Sequence, residues 1–193
     1  MKSICVYCGS SSGNKPAYAA AARELAHAMN ENGISLVYGG ASIGIMGEIA
    51  NTVLAGGGNA VGVIPQALVD KELSHPGLTE LHVVASMHER KALMAELSDG
   101  FVALPGGFGT LEELFEVLTW SQLGFHQKPI ALFNVANYYD ELLNFLDRAT
   151  DEMFVKSVHR SLLLADDNAN RVLDRMRRFE PPRATKWIGE GET

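Results

Sequence analysis

Short apolar runs recur along the chain, spaced by segments long enough to form helices: Ile4-Cys5-Val6-Tyr7, Ser35-Leu36-Val37-Tyr38, Ala60-Val61-Gly62-Val63-Ile64, Leu81-His82-Val83-Val84, Phe101-Val102-Ala103-Leu104, Ile130-Ala131-Leu132-Phe133 and Leu162-Leu163-Leu164. They lack the polar alternation of a strand with one wet face, so they read as strands covered on both sides, and parallel neighbours need crossover helices. The intervening segments carry a helical period, for example Leu111, Leu114, Phe115 and Leu118 at i, i+3, i+4 and i+7, which predicts an apolar stripe packed on a sheet. Alternating strands and amphipathic helices predict an α/β sandwich of about seven parallel strands with helices on both faces.

Residues 1–180 read as a single domain. From 181 onward Pro181, Pro182, Gly189 and Gly191 among charged residues predict an extended tail, with Trp187-Ile188 as an apolar pair able to dock on the body or a partner. The chain has 193 residues, of which 47% are hydrophobic, enough for a core of its own. Sixteen Lys and Arg against 23 Asp and Glu give a net charge of −7, which argues against a general nucleic-acid or membrane-surface binder. A small anion needs only local positive potential and stays open. The 2 cysteines cannot build a disulfide framework, and the N-terminal residues run directly into a strand pattern, so a cytoplasmic location is expected. No apolar run approaches the roughly 20 residues of a membrane helix.

Three strands end in small residues: Cys8-Gly9-Ser10-Ser11-Ser12-Gly13, Tyr38-Gly39-Gly40-Ala41-Ser42-Ile43-Gly44-Ile45-Met46-Gly47 and Leu104-Pro105-Gly106-Gly107-Phe108-Gly109-Thr110. In an open α/β sheet these loops lie at the carboxyl edge, where ligands bind at a topological switch point, so the three are expected to share one crevice. The third leads into Thr110 at an expected N-cap, where free backbone donors and the helix dipole favour a phosphate. Thr110-Leu111-Glu112-Glu113 also fits a plain capping box. No Gly-Lys-Ser/Thr closes a P-loop and no Gly-x-Gly-x-x-Gly opens the first helix, so a nucleoside monophosphate or sugar phosphate fits better than Mg-ATP or NAD.

Met87 to Leu97 reads as a helix whose apolar stripe holds Met87, Leu93, Met94 and Leu97, and Arg90 falls inside that stripe. A desolvated guanidinium needs a partner: Glu113, Asp99 or a bound anion all suit its fork of donors. Lys91 beside it adds a second cation or a solvated side chain, and His88 is equally open. Glu112, Glu113 and Glu116 crowd the first turns of the next helix, where the dipole alone favours carboxylates. Glu113 stands apart because it lies one turn from the phosphate cradle, within reach of a ribose hydroxyl or an attacking water. Cys5 and Cys8 are expected as buried core thiols, because i and i+3 project from opposite faces of a strand. Scattered histidines offer no zinc spacing, so no metal is expected.

Pro105-Gly106-Gly107-Phe108-Gly109-Thr110-Leu111-Glu112-Glu113 matches PGGxGTxxE and follows Met87-His88-Glu89-Arg90-Lys91; with Cys8-Gly9-Ser10 and the 38–47 loop, it resembles the LONELY GUY family over residues 2–180. The resemblance implies a doubly wound Rossmann-like homodimer. It implies hydrolysis of the N-glycosidic bond of an adenosine-type nucleoside 5′-monophosphate to free base and ribose 5-phosphate, without metal or organic cofactor. By position it makes Arg90 and Glu113 the catalytic pair. The implied substrate contacts are Gly9, Ser10 and Gly40 from the first two loops, Met87 and Lys91 beside Arg90, and Gly106, Gly107, Phe108, Gly109, Thr110, Leu111 and Glu112 in the motif. Thr119 further along that helix and Glu72 after Pro65 complete the set. A pyridoxal-phosphate lysine decarboxylase, an older reading of such sequences, would need a Schiff-base lysine, for which Lys91 is the one candidate near the crevice. A non-catalytic nucleotide sensor is the alternative of a different class.

Overall fold

The computed structural model describes residues 1–70 and 74–182. The expected Glu72 contact and the residues of the expected tail from 183 onward lie outside the described residues. Seven strands, β1 (Ser3–Tyr7), β2 (Ser35–Tyr38), β3 (Ala60–Pro65), β4 (Glu80–Val84), β5 (Phe101–Ala103), β6 (Ile130–Phe133) and β7 (Leu163–Asp166), form one all-parallel sheet in the order β4-β3-β2-β1-β5-β6-β7. This is the doubly wound α/β sheet expected. The chain builds outward from β1 to β4, then crosses back to lay β5 against the free side of β1. The strand order therefore reverses between β1 and β5, and the loops leaving those two strands diverge to open a crevice.

Because side chains alternate across a strand, β1 feeds both cores: Ile4 and Val6 pack with α1 (Pro16–Glu31), α2 (Gly44–Ala55) and α8 (Ala169–Arg177), while Cys5 and Tyr7 face α4 (Met87–Glu96) and α5 (Phe108–Leu123). Cys5 and Cys8 accordingly sit in opposite clusters as free buried thiols, and burial pushes both well above the ordinary thiol range.

The two faces are finished differently. Helix α1 buries Ala22, Leu25, Ala26 and Met29 completely, whereas α6 (Asp140–Asp151), on the other face, contains no fully buried residue. The remaining short helices, α3 (Gln66–Val69) and α7 (Ser157–Arg160), lie after β3 and before β7. Among the described residues no helix is long and apolar enough to cross a membrane.

Two helical stripes differ from their expected registers. In α5 the fully buried positions are Thr110, Glu113, Leu114 and Val117; of the expected stripe Leu114 is among them, Leu111 and Leu118 are half-buried against the core, and Phe115 is 37% exposed. The true stripe keeps the i, i+3, i+4, i+7 spacing but carries polar residues at its site end, which apolar counting skips. In α4 the buried residues are Arg90, Lys91 and Met94, and Met87 is 47% exposed at the crevice mouth.

Candidate active site

The crevice begins with main-chain geometry. Gly9 N–H donates to the Pro105 carbonyl at 3.2 Å, tying the loops after β1 and β5. A Cβ on Gly106 would stand 2.1 Å from Thr110 Oγ1 and 2.9 Å from Gly9 N, so glycine is what permits this approach. Behind the loop, Tyr138 and Tyr139 donate their hydroxyls to the carbonyls of Gly106 and Leu104, each at 2.6 Å. Those carbonyls are thereby held away from the ligand side.

The cap of α5 is Gly107, not Thr110: Gly107 is extended, its carbonyl accepts from Leu111 N–H at 3.1 Å, and no side chain caps the helix. Thr110 lies in the first turn instead, 4% exposed, and the capping box is not formed. The amides of Phe108, Gly109 and Thr110 precede the first closed turn and have no partner within the helix, so they present donors and the dipole's positive end to the crevice. The second glycine loop differs. At α2 the Ile45 and Met46 amides are taken by the Gly9 carbonyl at 3.1 and 3.3 Å. The three loops do converge, but the open anion cradle belongs to α5.

Arg90 reaches the crevice from α4, whose start is fixed by Ser86. The Ser86 hydroxyl accepts from Glu89 N–H at 3.1 Å, and the Glu89 carboxylate accepts from Ala85 N–H at 2.8 Å. From there the guanidinium donates through Nε to the Val63 carbonyl at the end of β3 (3.0 Å) and through Nη1 to Glu113 Oε1 (2.7 Å). Both side chains are nearly enclosed, at 9% and 10% exposed. The open choice of partner for Arg90 is thus resolved to Glu113; Asp99 instead accepts from the amides of Lys2 and Ser3. Burial pushes the Glu113 carboxyl above the ordinary glutamate range, with the Arg90 charge and hydrogen bond opposing it.

Cradle and ion pair line one cavity of about 450 Å³. Of the residues named from sequence, Gly9, Ser10, Met87, Arg90, Gly107, Phe108, Gly109, Thr110, Glu112 and Glu113 line it. Others stand elsewhere. Gly106 lines an adjoining crevice with Ser11, Gly13 and Tyr18. Gly40 adopts φ +75° and accepts from His75 N–H, shaping the second loop from beneath. Leu111 packs against the core beside α5. Lys91 is buried at the seam of α4 and α5 rather than in the cavity lining, and donates to Glu112 at 2.5 Å and Glu116 at 2.9 Å. Thr119 is exposed about 9 Å along the helix axis from Glu113, its hydroxyl donating to the Phe115 carbonyl.

The cavity lining also includes residues that the sequence did not single out as contacts. Tyr7, Gly39, Ile43, Met46, Ile64 and Leu68 come from the ends of β1 to β3 and the turns that follow, Gly39, Ile43 and Met46 within the second glycine loop. Their common signal is position at a strand's carboxyl end. A Cβ on Gly39 would stand 2.2 Å from Arg90 Nη2, so this largely apolar wall packs beside the ion pair and gives the cavity apolar and charged surfaces side by side.

A family profile described as "Possible lysine decarboxylase" matches residues 46–176. Cytokinin riboside 5′-monophosphate phosphoribohydrolase LOG7 of Arabidopsis thaliana is 48% identical over 180 residues, covering 93% of this chain and 83% of its own. The chain belongs to the LONELY GUY family. The LONELY GUY relative LOG2 of the same plant is 49% identical over 92% of this chain and 84% of its own, and the probable rice enzyme LOGL5 is 49% identical over 93% and 73%. Among solved structures, a molybdenum cofactor binding protein from Rippkaea orientalis superposes with a TM-score of 0.69 at 19% identity, covering 92% of this chain and 96% of that one. The molybdenum cofactor carrier protein of Chlamydomonas reinhardtii gives 0.68 at 20% identity, with the same coverage. These last likenesses establish the shared fold only.

The profile's description implies pyridoxal phosphate, and the side chains of this LONELY GUY member do not fit it. A Schiff base needs a free amine in the cavity. Among the described residues no lysine lines it. Desolvation works against the charge on Lys91, but the hydrogen bonds it donates to Glu112 and Glu116 and their negative charges outweigh it and hold the ammonium above the ordinary lysine range.

Proposed function

We propose that the chain hydrolyses the N-glycosidic bond of adenosine-type nucleoside 5′-monophosphates, cytokinin riboside 5′-monophosphates and AMP among them, giving free base and ribose 5-phosphate. The observation that carries this reading is the enclosed Arg90–Glu113 pair, 2.7 Å apart, in the same cavity as the open amides of α5.

Breaking the bond between C1′ and the base builds positive charge on the ribose and negative charge on the departing base. The phosphate sits on the Phe108, Gly109 and Thr110 amides, far from the reacting bond, and fixes the sugar by remote binding. The Glu113 carboxylate then lies beside the ribose. It holds the ring hydroxyls, stabilises the oxocarbenium-like state and takes a proton from the water that adds to C1′. Arg90 orients the nucleotide and offsets the negative charge, while the base leaves and receives, directly or through solvent, the proton that Glu113 took from the water, so that one water is consumed and Glu113 returns to its carboxylate form. The role of Lys91 is indirect: it clamps α4 to the Glu112–Glu116 edge of α5.

The molybdenum-cofactor-binding neighbours keep a binding-only reading in view, since the same fold serves as a carrier. The enclosed acid-and-guanidinium pair favours the enzyme, because a carrier needs only the cradle. Incubation with AMP, isopentenyl-AMP and adenosine, with chromatography for free base, tests both readings. Base released from the monophosphates and little from adenosine is expected. Binding without release would leave a carrier, and equal turnover of adenosine would remove the phosphate anchor.

The reading extends to assembly and place. A second copy covers the incompletely buried face around α6, where Phe145, Met153 and Phe154 are 64%, 88% and 88% exposed. Sedimentation of a species of twice the 20.9 kDa chain mass is expected, and a monomer at micromolar concentration would reject it. The partner is a small nucleoside monophosphate rather than nucleic acid or membrane, and the place of action is the cytoplasm.

A further inference from the structure

We propose that Gly39 is a positioning residue for the reactive pair: its missing side chain is the space in which the Arg90 guanidinium lies. The proposal rests on the reading of Arg90 and Glu113 given above.

Gly39 is the residue after β2, and its neighbour Gly40 makes the contrast. Gly40 has φ +75°, a left-handed conformation that by itself favours glycine. Gly39 has no such φ, so its backbone accepts any residue. What stands in the way is one side chain. A Cβ on Gly39 would lie 2.2 Å from Arg90 Nη2 and 3.3 Å from Arg90 Cζ, with Met46 Sδ next at 3.2 Å. The first distance is far inside contact, so a methyl group and the guanidinium cannot both occupy this place.

The consequence follows from the rigidity of the fork. Nε is bound to the Val63 carbonyl at 3.0 Å and Nη1 to Glu113 at 2.7 Å, and Nη2 is the third corner of the same plane. Pushing that corner away from β2 swings the other two, so Arg90 cannot give way and keep both bonds. Gly39 lines the cavity with Arg90 and Glu113, so the displaced guanidinium moves within the site. The phosphate cradle, built on α5 and the loop before it, is untouched.

The test compares Gly39→Ala, Arg90→Ala and the double variant, with melting temperature, kcat, KM for AMP and the pH profile of kcat/KM as readouts. Gly39→Ala is expected to lower kcat about a hundredfold, the scale of an ångström-sized misplacement, with KM changed much less. Its acid limb should also move to higher pH. Glu113 is faced by Arg90 and Lys91 from α4, by Glu112 on its own helix, and by Cys5, Tyr7 and Cys8 from β1 and its exit. Of these only Arg90 is displaced by the methyl group, and its withdrawal leaves burial opposed by the weaker effect of the Lys91 charge alone. In the Arg90→Ala background, Gly39→Ala should cost little further in melting temperature or residual turnover.

If Arg90→Ala is inactive while Gly39→Ala turns over normally, the positioning proposal fails alone. If Arg90→Ala itself turns over normally, the reading of the pair fails. Additive losses with an unmoved acid limb overturn the proposal too. If Gly39→Ala does not fold, recovery of a normal melt in the double variant supports the clash with Arg90, and no recovery overturns it.

Discussion

Helix α4 carries two neighbouring cations, and α5 meets both with carboxylates, yet the two encounters differ. Arg90 and Glu113 meet inside the cavity, 9% and 10% exposed. Lys91, itself 8% exposed, reaches Glu112 at 55% and Glu116 at 24%. Successive helical residues project about 100° apart, so one step along the chain turns one charge into the cavity and the other onto the helix–helix seam. The inner pair is largely desolvated, an arrangement that stabilises a fold weakly at best, because the Coulomb gain barely offsets the lost hydration. On the proposed reading its use lies in chemistry. Burial raises the Glu113 carboxyl above its ordinary range while the Arg90 charge and hydrogen bond oppose that rise, the kind of balance a proton-accepting carboxylate needs. The outer cluster keeps water on the carboxylate side and acts as a clamp.

The sharpest way to break this contrast is to remove one charge from each group. Glu113→Gln is expected to leave a folded protein with kcat lowered by about two orders of magnitude or more, the usual scale for an acid–base residue. Glu116→Gln is expected to stay within about threefold, as for a surface change away from the reacting atoms. Steady-state release of base from AMP separates the two. Equal losses would erase the distinction between reactive pair and clamp.

Acid titration sharpens it further. The Glu113 carboxyl is raised above the ordinary value of about 4.3, so turnover should fall as pH drops through that raised value. Stability runs the other way. A carboxyl that holds its proton more tightly folded than unfolded makes the fold more stable as pH falls between the two values. Asp99 has the ordinary sign: the Lys2 and Ser3 amides hold it below its usual range, and its contribution fades only below about 3.9. The kcat/KM profile should therefore lose its acid limb where the melting temperature, referenced to Glu113→Gln, does not decline. An acid limb at or below the ordinary glutamate value would place the proton acceptor elsewhere.

The sheet was legible because most of its strands are buried on both faces and leave continuous apolar runs, and the seven runs match β1 to β7 to within two residues at either end; the edge strand β4 departs from the expected two-sided cover, with Leu81 and Val83 38% and 46% exposed. Arg90 was legible for the converse reason, as a charge where periodicity asked for a hydrophobe. Its partner was not fixed, because Glu113 lies 23 positions away and only the β1–β5 reversal brings α4 and α5 together at that level. The departures have local causes. Lys91 adjoins Arg90 in sequence, but one helical step places its ammonium between Glu112 and Glu116 rather than in the cavity lining. The stripe of α5 was misplaced because Thr110 and Glu113 occupy its buried site end. The second glycine loop shares the crevice as expected, with its Ile45 and Met46 amides taken by the Gly9 carbonyl. Tyr138 and Tyr139 were invisible because they act on backbone carbonyls, and the contact of Gly39 with Arg90 was not readable from its place in the second glycine loop because it depends on an absent atom.

The smallest expected effect tests the clamp itself. Lys91→Met keeps the buried stem and removes the charge, so packing along α4 persists while Glu112 and Glu116 relax into water. The loss is expected at about 1 kcal/mol or less, typical of pairs with one solvated partner, and kcat should stay within about threefold of the parent. The Lys91 ammonium is held above its ordinary range, so its contribution is complete at neutral pH and fades only as pH rises beyond about 10.4. Urea denaturation of parent and variant should therefore differ by a constant amount from pH 6 to 9 and converge above that. A hundredfold loss of turnover in Lys91→Met with an unchanged melt would mean that this lysine reaches the nucleotide after all, and that the division between the two cations of α4 is drawn in the wrong place.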